Sequence, residues 1–278
     1  MHKHYPMPML IIFSILLFIF SCSGGKMTDE RAKFGSIKDI PDSVWEKLSN
    51  KKIYFGHMSV GYNIIDGIKD LMEENPKIKI DIVETSDKAD FKAGVFAHSR
   101  VGKNGDPRSK IDDFKRFVEE GVGDNADMAF LKFCYLDFMA DAEPRSVLDE
   151  YKKTMSLLSK TYPNTTFIHI TAPLTRKQTG VKAWIKKIIG RPIWGVEDNM
   201  KKFDFNELLK NEYDGKDPVF DLAEIESTLP DGSRLSYSKD GKTYYAMVPE
   251  YTTDGGHLNK IGRKKVAEQL LILLANLS

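Results

Sequence analysis

From residue 51 onward the chain alternates short apolar runs with longer stretches whose apolar residues recur every three or four positions. That pattern predicts strands near 52–55, 78–83, 128–133, 166–171 and 219–222. Helices are predicted over 60–74, 109–120, 145–162, 198–213 and 260–277. Ile64, Ile65, Ile68, Leu71 and Met72 give the first of these one apolar face, and Ile261, Val266, Leu270, Leu273, Leu274 and Leu277 do the same for the last. Strands that alternate with helices imply βαβ units, hence an α/β fold with a five-stranded parallel sheet. Ligands of such sheets bind beyond the carboxyl ends of the strands, where residue 59 and the segments after Phe133 and Thr171 fall.

Two segments break the alternation. Residues 176–191 are basic and carry Trp184, Ile185, Ile188 and Ile189 at helical spacing. A helix packed on the sheet with its lysines in solvent is the favoured reading; a helix over the site entrance or near a membrane is the other. Asp240-Gly241 separates 235–238 from 242–248 and signals a hairpin that leads into Pro249 and the segment after it.

The first residues differ in kind. His2, Lys3 and His4 precede an apolar run from Met9 to Phe20, followed by Ser21-Cys22-Ser23-Gly24-Gly25. The run is too short for the ~20 residues of a spanning helix and reads as an export signal over 1–21. Ile19-Phe20-Ser21-Cys22 resembles a bacterial lipobox, which makes Cys22 the lipidation candidate and the membrane a partner through an N-terminal lipid anchor. A plain cleaved signal and an uncleaved anchor are the alternatives. The expected address is the cell envelope. Residues 22–50 read as a tether with a short helix around 43–48, and 51–278 as the functional domain.

Composition narrows the field. With 41% hydrophobic residues, 278 residues can bury one substantial core. Lys+Arg 41 against Asp+Glu 40 leaves a formal charge of +1, so nothing pulls the chain toward nucleic acid. With Cys22 lipidated, Cys134 is the remaining thiol, so no internal disulfide is expected. No spacing of His, Asp or Glu suggests a metal, and no cofactor is expected. His169 alternates with Ile168 and Ile170 and reads as a core histidine.

Candidate chemistry begins at Phe55-Gly56-His57-Met58-Ser59-Val60-Gly61, where strand passes into helix. Ser59 there is near unpaired helix N–H groups that can hold an oxyanion, although a serine in that place can equally serve as an N-cap. A serine hydroxyl needs a general base, and the base needs an acceptor that sets its tautomer. Asp254-Gly255-Gly256-His257, ahead of the last helix, offers both.

The order of Ser59, the loop Val101-Gly102-Lys103-Asn104-Gly105-Asp106-Pro107, the segment Lys132-Phe133-Cys134-Tyr135-Leu136-Asp137 and Asp254-x-x-His257 resembles the SGNH/GDSL hydrolase family over residues 51–278. The resemblance implies a flavodoxin-like three-layer α/β/α fold and an ester or acyl hydrolase. In it Ser59 is the nucleophile, His257 the base and Asp254 its orienting acid. The N–H groups of Ser59 and of Gly102 or Gly105 form the oxyanion hole. The family's Gly-Asp-Ser is His57-Met58-Ser59 here, and its Gly-x-Asn-Asp is Cys134-Tyr135-Leu136-Asp137, so the usual side-chain amide donor is missing. Asn104, His57, Lys132 and His98 are the candidates to replace it. The implied substrate is a carbohydrate or other small ester. Acyl transfer to a glycan and a non-catalytic glycan-binding scaffold are the rival readings.

Overall fold

The computed structural model describes residues 1–2, 34–139 and 141–278. The leader expected over 1–21, beyond its first two residues, and Cys22 lie outside the described residues. Six parallel strands form the central sheet: β1 (Lys52–His57), β2 (Ile82–Glu84), β3 (Val95–Arg100), β4 (Met128–Leu131), β5 (Thr166–Ile170) and β6 (Val219–Phe220). Their order is β2-β3-β1-β4-β5-β6. Without the short edge strand β2 this is the flavodoxin order, with its switch point between β1 and β4. The architecture is consistent with the SGNH hydrolase fold.

The expected five strands are therefore six. β3 escapes the pattern because it does not alternate: Val95, Phe96, Ala97 and His98 are all buried between β1 and β2, and the polar run His98-Ser99-Arg100 imitates a loop. β2 occupies 82–84 rather than 78–83, and Ile78 and Ile80 enter the core without pairing.

Helices cover both faces. On one lie α1 (Asp42–Ser49), α2 (Val60–Glu74), α8 (Leu222–Ser227) and α9 (Lys260–Leu277). On the other lie α3 (Pro107–Phe117), α5 (Pro144–Thr161) and α7 (Glu197–Tyr213), with the single turn α4 (Gly123–Asn125) leading into β4. Successive strand residues face opposite layers, so Ile53 and Phe55 join the α2/α9 core while Tyr54 joins the α3/α5 core. Both faces are dry, which explains the nearly continuous apolar strand sequences. α6 (Gly180–Ile188) and the antiparallel hairpin β7 (Ser236–Lys239) and β8 (Lys242–Tyr245) are additions to this plan.

Residues 34–50 are not a free tether. From Phe34 onward the described residues form one compact unit: Trp45 and Leu48 of α1 are buried, and the Phe34 N–H donates to Asn276 Oδ1 at 2.8 Å. Among the described residues no helix is long and apolar enough to cross a membrane.

The closest helix pairing on the first face joins α2 to α9. Gly67 lies against the Arg263 carbonyl, and the Arg263 guanidinium holds both oxygens of Asp70 at 2.8 and 3.0 Å. A methyl group at 67 would overlap that carbonyl, and backbone cannot turn aside as a side chain can. Alanine gains about 1 kcal/mol over glycine in helix propensity, while overpacking costs about 1–3 kcal/mol. Because the overlap is with backbone it belongs at the upper end of that range, so Gly67→Ala is expected to lower the urea midpoint without changing the slope, by about 2 kcal/mol of net stability; an unchanged or higher midpoint would show that α2 and α9 can separate freely.

Candidate active site

The site is assembled from three loops at the carboxyl edge of the sheet. Ser59 sits in the two-residue connection between β1 and α2. It occupies the N-cap position, yet its side chain makes no capping hydrogen bond, and neither its hydroxyl nor its N–H is hydrogen-bonded among the described residues. The N-cap role open to this serine is thus not taken up. The residue is half-buried.

The second loop carries Asp254 and His257. Asp254 Oδ2 lies 2.6 Å from His257 Nδ1, while its Oδ1 accepts the N–H groups of Gly256 at 2.9 Å and His257 at 2.8 Å. Burial pushes this carboxyl up, but those two N–H donors and the imidazole more than offset it and hold it well below the usual carboxylate range. An ionised Asp254 accepts a hydrogen bond from Nδ1–H, which keeps the proton on that nitrogen and leaves the Nε2 lone pair available as a base. Gly255 gives the loop its shape: its φ is +96°, and a Cβ there would collide with the Trp194 ring.

Two residues that sequence reasoning missed bring these loops together. Asn63, one turn into α2 from Ser59, accepts the Leu258 N–H at 3.1 Å and so ties the helix that follows Ser59 to the histidine loop. Tyr135, in the third loop after β4, packs edge-on against the His257 ring with centroids 5.5 Å apart and lies over Gly256. Register brings this loop beside the first, since Gly56 pairs with Leu131 and its carbonyl accepts the Lys132 N–H at 2.9 Å. No spacing rule marks Asn63 or Tyr135; only the fold does, by setting β4 beside β1 and the histidine loop beside α2.

The expected oxyanion donors fare differently. The Gly102 N–H is donated to Asp113 at 2.8 Å and the Gly105 N–H to Asp137 at 2.9 Å, so neither is open to a substrate oxyanion. Asp137 is itself buried with Lys110 at 2.8 Å and accepts the Cys134 N–H at 2.7 Å, which fastens the glycine loop to the β4 loop. His57 is fully buried, its Nδ1 3.1 Å from the Met58 carbonyl and its Nε2 3.0 Å from His98 Nδ1. A carbonyl only accepts, so His57 Nδ1 carries the proton and His98 Nδ1 donates to His57 Nε2. Burial, with Lys132 and His98 nearby, pulls His57 down to about 3, and burial also lowers His98. Both rings are neutral near pH 7, and His57 has no donor left for substrate. Lys132 is buried with Nζ on the Phe133 carbonyl at 2.8 Å, and Asn104 is exposed without a hydrogen bond to any site residue among those described. Of the proposed backbone donors, the Ser59 N–H is the one left open; the Asn104 amide is also unbonded among the described residues, but no contact ties it to the Ser59 or His257 loop.

His169 is a core residue: it stacks on Tyr213 with centroids 3.4 Å apart, and its Nδ1 lies 2.9 Å from the Tyr151 hydroxyl. Cys134 is a buried free thiol. No cluster of His, Cys, Asp or Glu able to hold a metal occurs among the described residues.

Beneath Tyr135 lies an ionisable trio with little local pairing. Lys132, Lys202 and Glu226 are fully buried, and no ion pair joins them among the described residues. Lys202 Nζ lies 6.0 Å from the Tyr135 ring centre and reaches Thr175 Oγ1 at 3.2 Å. Glu226 Oε2 accepts the Leu174 N–H at 2.6 Å, whereas its Oε1 has no partner. Burial raises Glu226 to about 8 and lowers each lysine to about 8.

No family model matches the chain, and no curated protein matches it. Solved structures do. A protein assigned as a GDSL-like lipase from Parabacteroides merdae is 11% identical with a TM-score of 0.49, covering 82% of this chain and 99% of its own. A protein assigned to the G-D-S-L lipolytic family from Desulfitobacterium hafniense is 11% identical with a TM-score of 0.46, covering 81% and 99%. The periplasmic domain of a lipopolysaccharide acetyltransferase from Salmonella ser. Paratyphi A is 10% identical with a TM-score of 0.40, covering 80% and 82%. The structures to which this chain is similar thus include GDSL-type lipases and an acetyltransferase.

The trio makes stability depend on pH. Between Glu226's ordinary value of 4.5 and about 8 the folded chain keeps a proton that the unfolded chain has released, so this group lowers stability as pH rises through that window. Glu226→Gln keeps an acceptor for Leu174 and removes the titration. Its urea midpoint relative to wild type should climb steadily between those two pH values; a constant offset would mean that Glu226 titrates as an ordinary carboxyl.

Proposed function

We propose that the chain is a serine ester hydrolase that uses Ser59, His257 and Asp254. The observation that carries this reading is the Asp254–His257 pair, closed at 2.6 Å and bound through Leu258 and Asn63 to the helix that begins at Ser59. Asp254 fixes the imidazole tautomer; His257 Nε2 takes the Ser59 proton as Oγ bonds to the acyl carbon, then returns it to the departing alkoxide oxygen. Water, deprotonated by the same nitrogen, cleaves the acyl-serine and restores the hydroxyl. The oxyanion is held by the Ser59 N–H at the start of α2, where the helix dipole adds to it.

The substrate we propose is an acyl ester, such as an acetyl group on a carbohydrate or another small alcohol, met in the envelope of a bacterium. The apolar leader and Cys22 support an exported, lipid-anchored address. A sugar hydroxyl in place of water in the second step would make the same machinery an acyltransferase.

A fluorophosphonate probe should label Ser59 in the wild-type chain, and Ser59→Ala should abolish labelling. His257→Ala should slow hydrolysis of p-nitrophenyl acetate by roughly a thousandfold or more, since nucleophile and base act as one unit. Folded wild-type chain that takes up no probe and turns over no ester would point to the glycan-binding scaffold instead. Product analysis with sugar acceptors separates hydrolysis from transfer.

A further inference from the structure

α6 breaks the rule that an amphipathic helix turns its apolar side inward. Val181, Trp184, Ile185 and Ile188, with Ile189 just after the helix, are 73%, 63%, 46%, 63% and 57% exposed. At about 100° per residue they fill one stripe of roughly 140°. Ala183, on the opposite side, is the one buried residue of the helix. The reading of this segment as a helix packed on the sheet is therefore overturned: its apolar side faces outward. A groove of about 580 Å³ runs from α6 to Tyr237 and Lys239 of the hairpin. Contiguous apolar surface of this kind marks a place where something else binds.

The charges around the stripe say what. Residues 176–191 hold Arg176, Lys177, Lys182, Lys186, Lys187 and Arg191 and no acidic residue. That density of cations stands out in a chain whose total charge is +1. Six like charges around an apolar face repel a second copy of themselves and attract a surface that is negative above and apolar beneath. We infer that α6 is a membrane-surface helix: it lies in the headgroup region of a bilayer containing anionic lipid, with Trp184, Ile185 and Ile188 inserted and the lysines at phosphate level.

The position of the helix ties this to the candidate site. The base of the excursion is fastened to the histidine loop by the Arg176 N–H on the Gly255 carbonyl at 2.8 Å and by Trp194 against Gly255. The Gln178 N–H closes the excursion on the Trp194 carbonyl at 2.9 Å. A bilayer held by α6 would thus be coupled to the loop that carries Asp254 and His257. The binding itself does not rest on the proposed hydrolysis.

The test reads Trp184, which is exposed while Trp45 is buried and Trp194 half-buried. The full chain is mixed with phosphatidylcholine vesicles, with or without phosphatidylglycerol, whose acyl chains carry bromine. A Trp184→Phe chain supplies the background, so that attachment through the N-terminal leader does not enter the reading. Trp184 emission should shift to the blue and be quenched in the anionic vesicles, and the effect should weaken as salt is raised. The pair Ile185→Asp and Ile188→Asp should weaken it by roughly tenfold or more, the loss expected when two buried isoleucines are removed from lipid. Lys182→Glu with Lys187→Glu, which leaves all packing in place, should abolish the preference for anionic lipid. Trp184 left unquenched in anionic vesicles would overturn the inference. So would a dimer in sedimentation that Ile188→Asp dissociates, because a second copy would then be what covers the face.

Discussion

The structure depends on how closely α2 and α9 approach. The Ser59 end of one and the His257 end of the other are almost two hundred residues apart in sequence, and only the Ser59 loop is held directly by a strand of the central sheet. What brings them together is a contact of helix backbone on helix backbone at Gly67, locked by the two-pronged Arg263–Asp70 pair and carried to the site by Asn63. Packed interiors transmit displacement rather than absorb it, so a change at residue 67 shifts the His257 loop relative to the Ser59 loop. The relative placing of these two loops is thus decided well outside them.

Much of this was legible before the structure. α2 and α9 begin and end where the apolar period begins and ends, because one-sided burial on a sheet imposes that period over many turns. Asp254 and His257 were legible as a pair since their contact is local in sequence. β3 was hidden by its polar end, which belongs to a strand that delivers His98 to the sheet edge. The glycine loop misled for a different reason. Its N–H groups are engaged by Asp113 and Asp137, and a carboxylate 11 or 32 positions away leaves no local mark. The same holds for α6, whose period states that one face is apolar and cannot state which way it points.

The interior near the site is unusually polar for a doubly covered sheet. His57 and His98 share one hydrogen bond as neutral rings, and Lys132, Lys202 and Glu226 lie below Tyr135 with few partners. Apolar side chains of similar volume would fill the same space with less desolvation. What the polar groups add is direction. Each has a limited set of acceptors, so the β1 and β4 loops have fewer ways to rearrange than oily contacts would permit.

Asp254 joins two duties in one carboxylate. One oxygen gathers the amides of Gly256 and His257 and the Thr252 hydroxyl, while the other holds the imidazole. The clasp that folds the turn is the same atom group that polarises the ring. An asparagine in this place would turn either its oxygen toward the turn or its oxygen toward the ring, never both, and would meet the remaining donors with an NH₂. A substitution at this position therefore changes the shape of the loop and the tautomer of the ring together, and the two effects separate only when the loop is restored through another anchor.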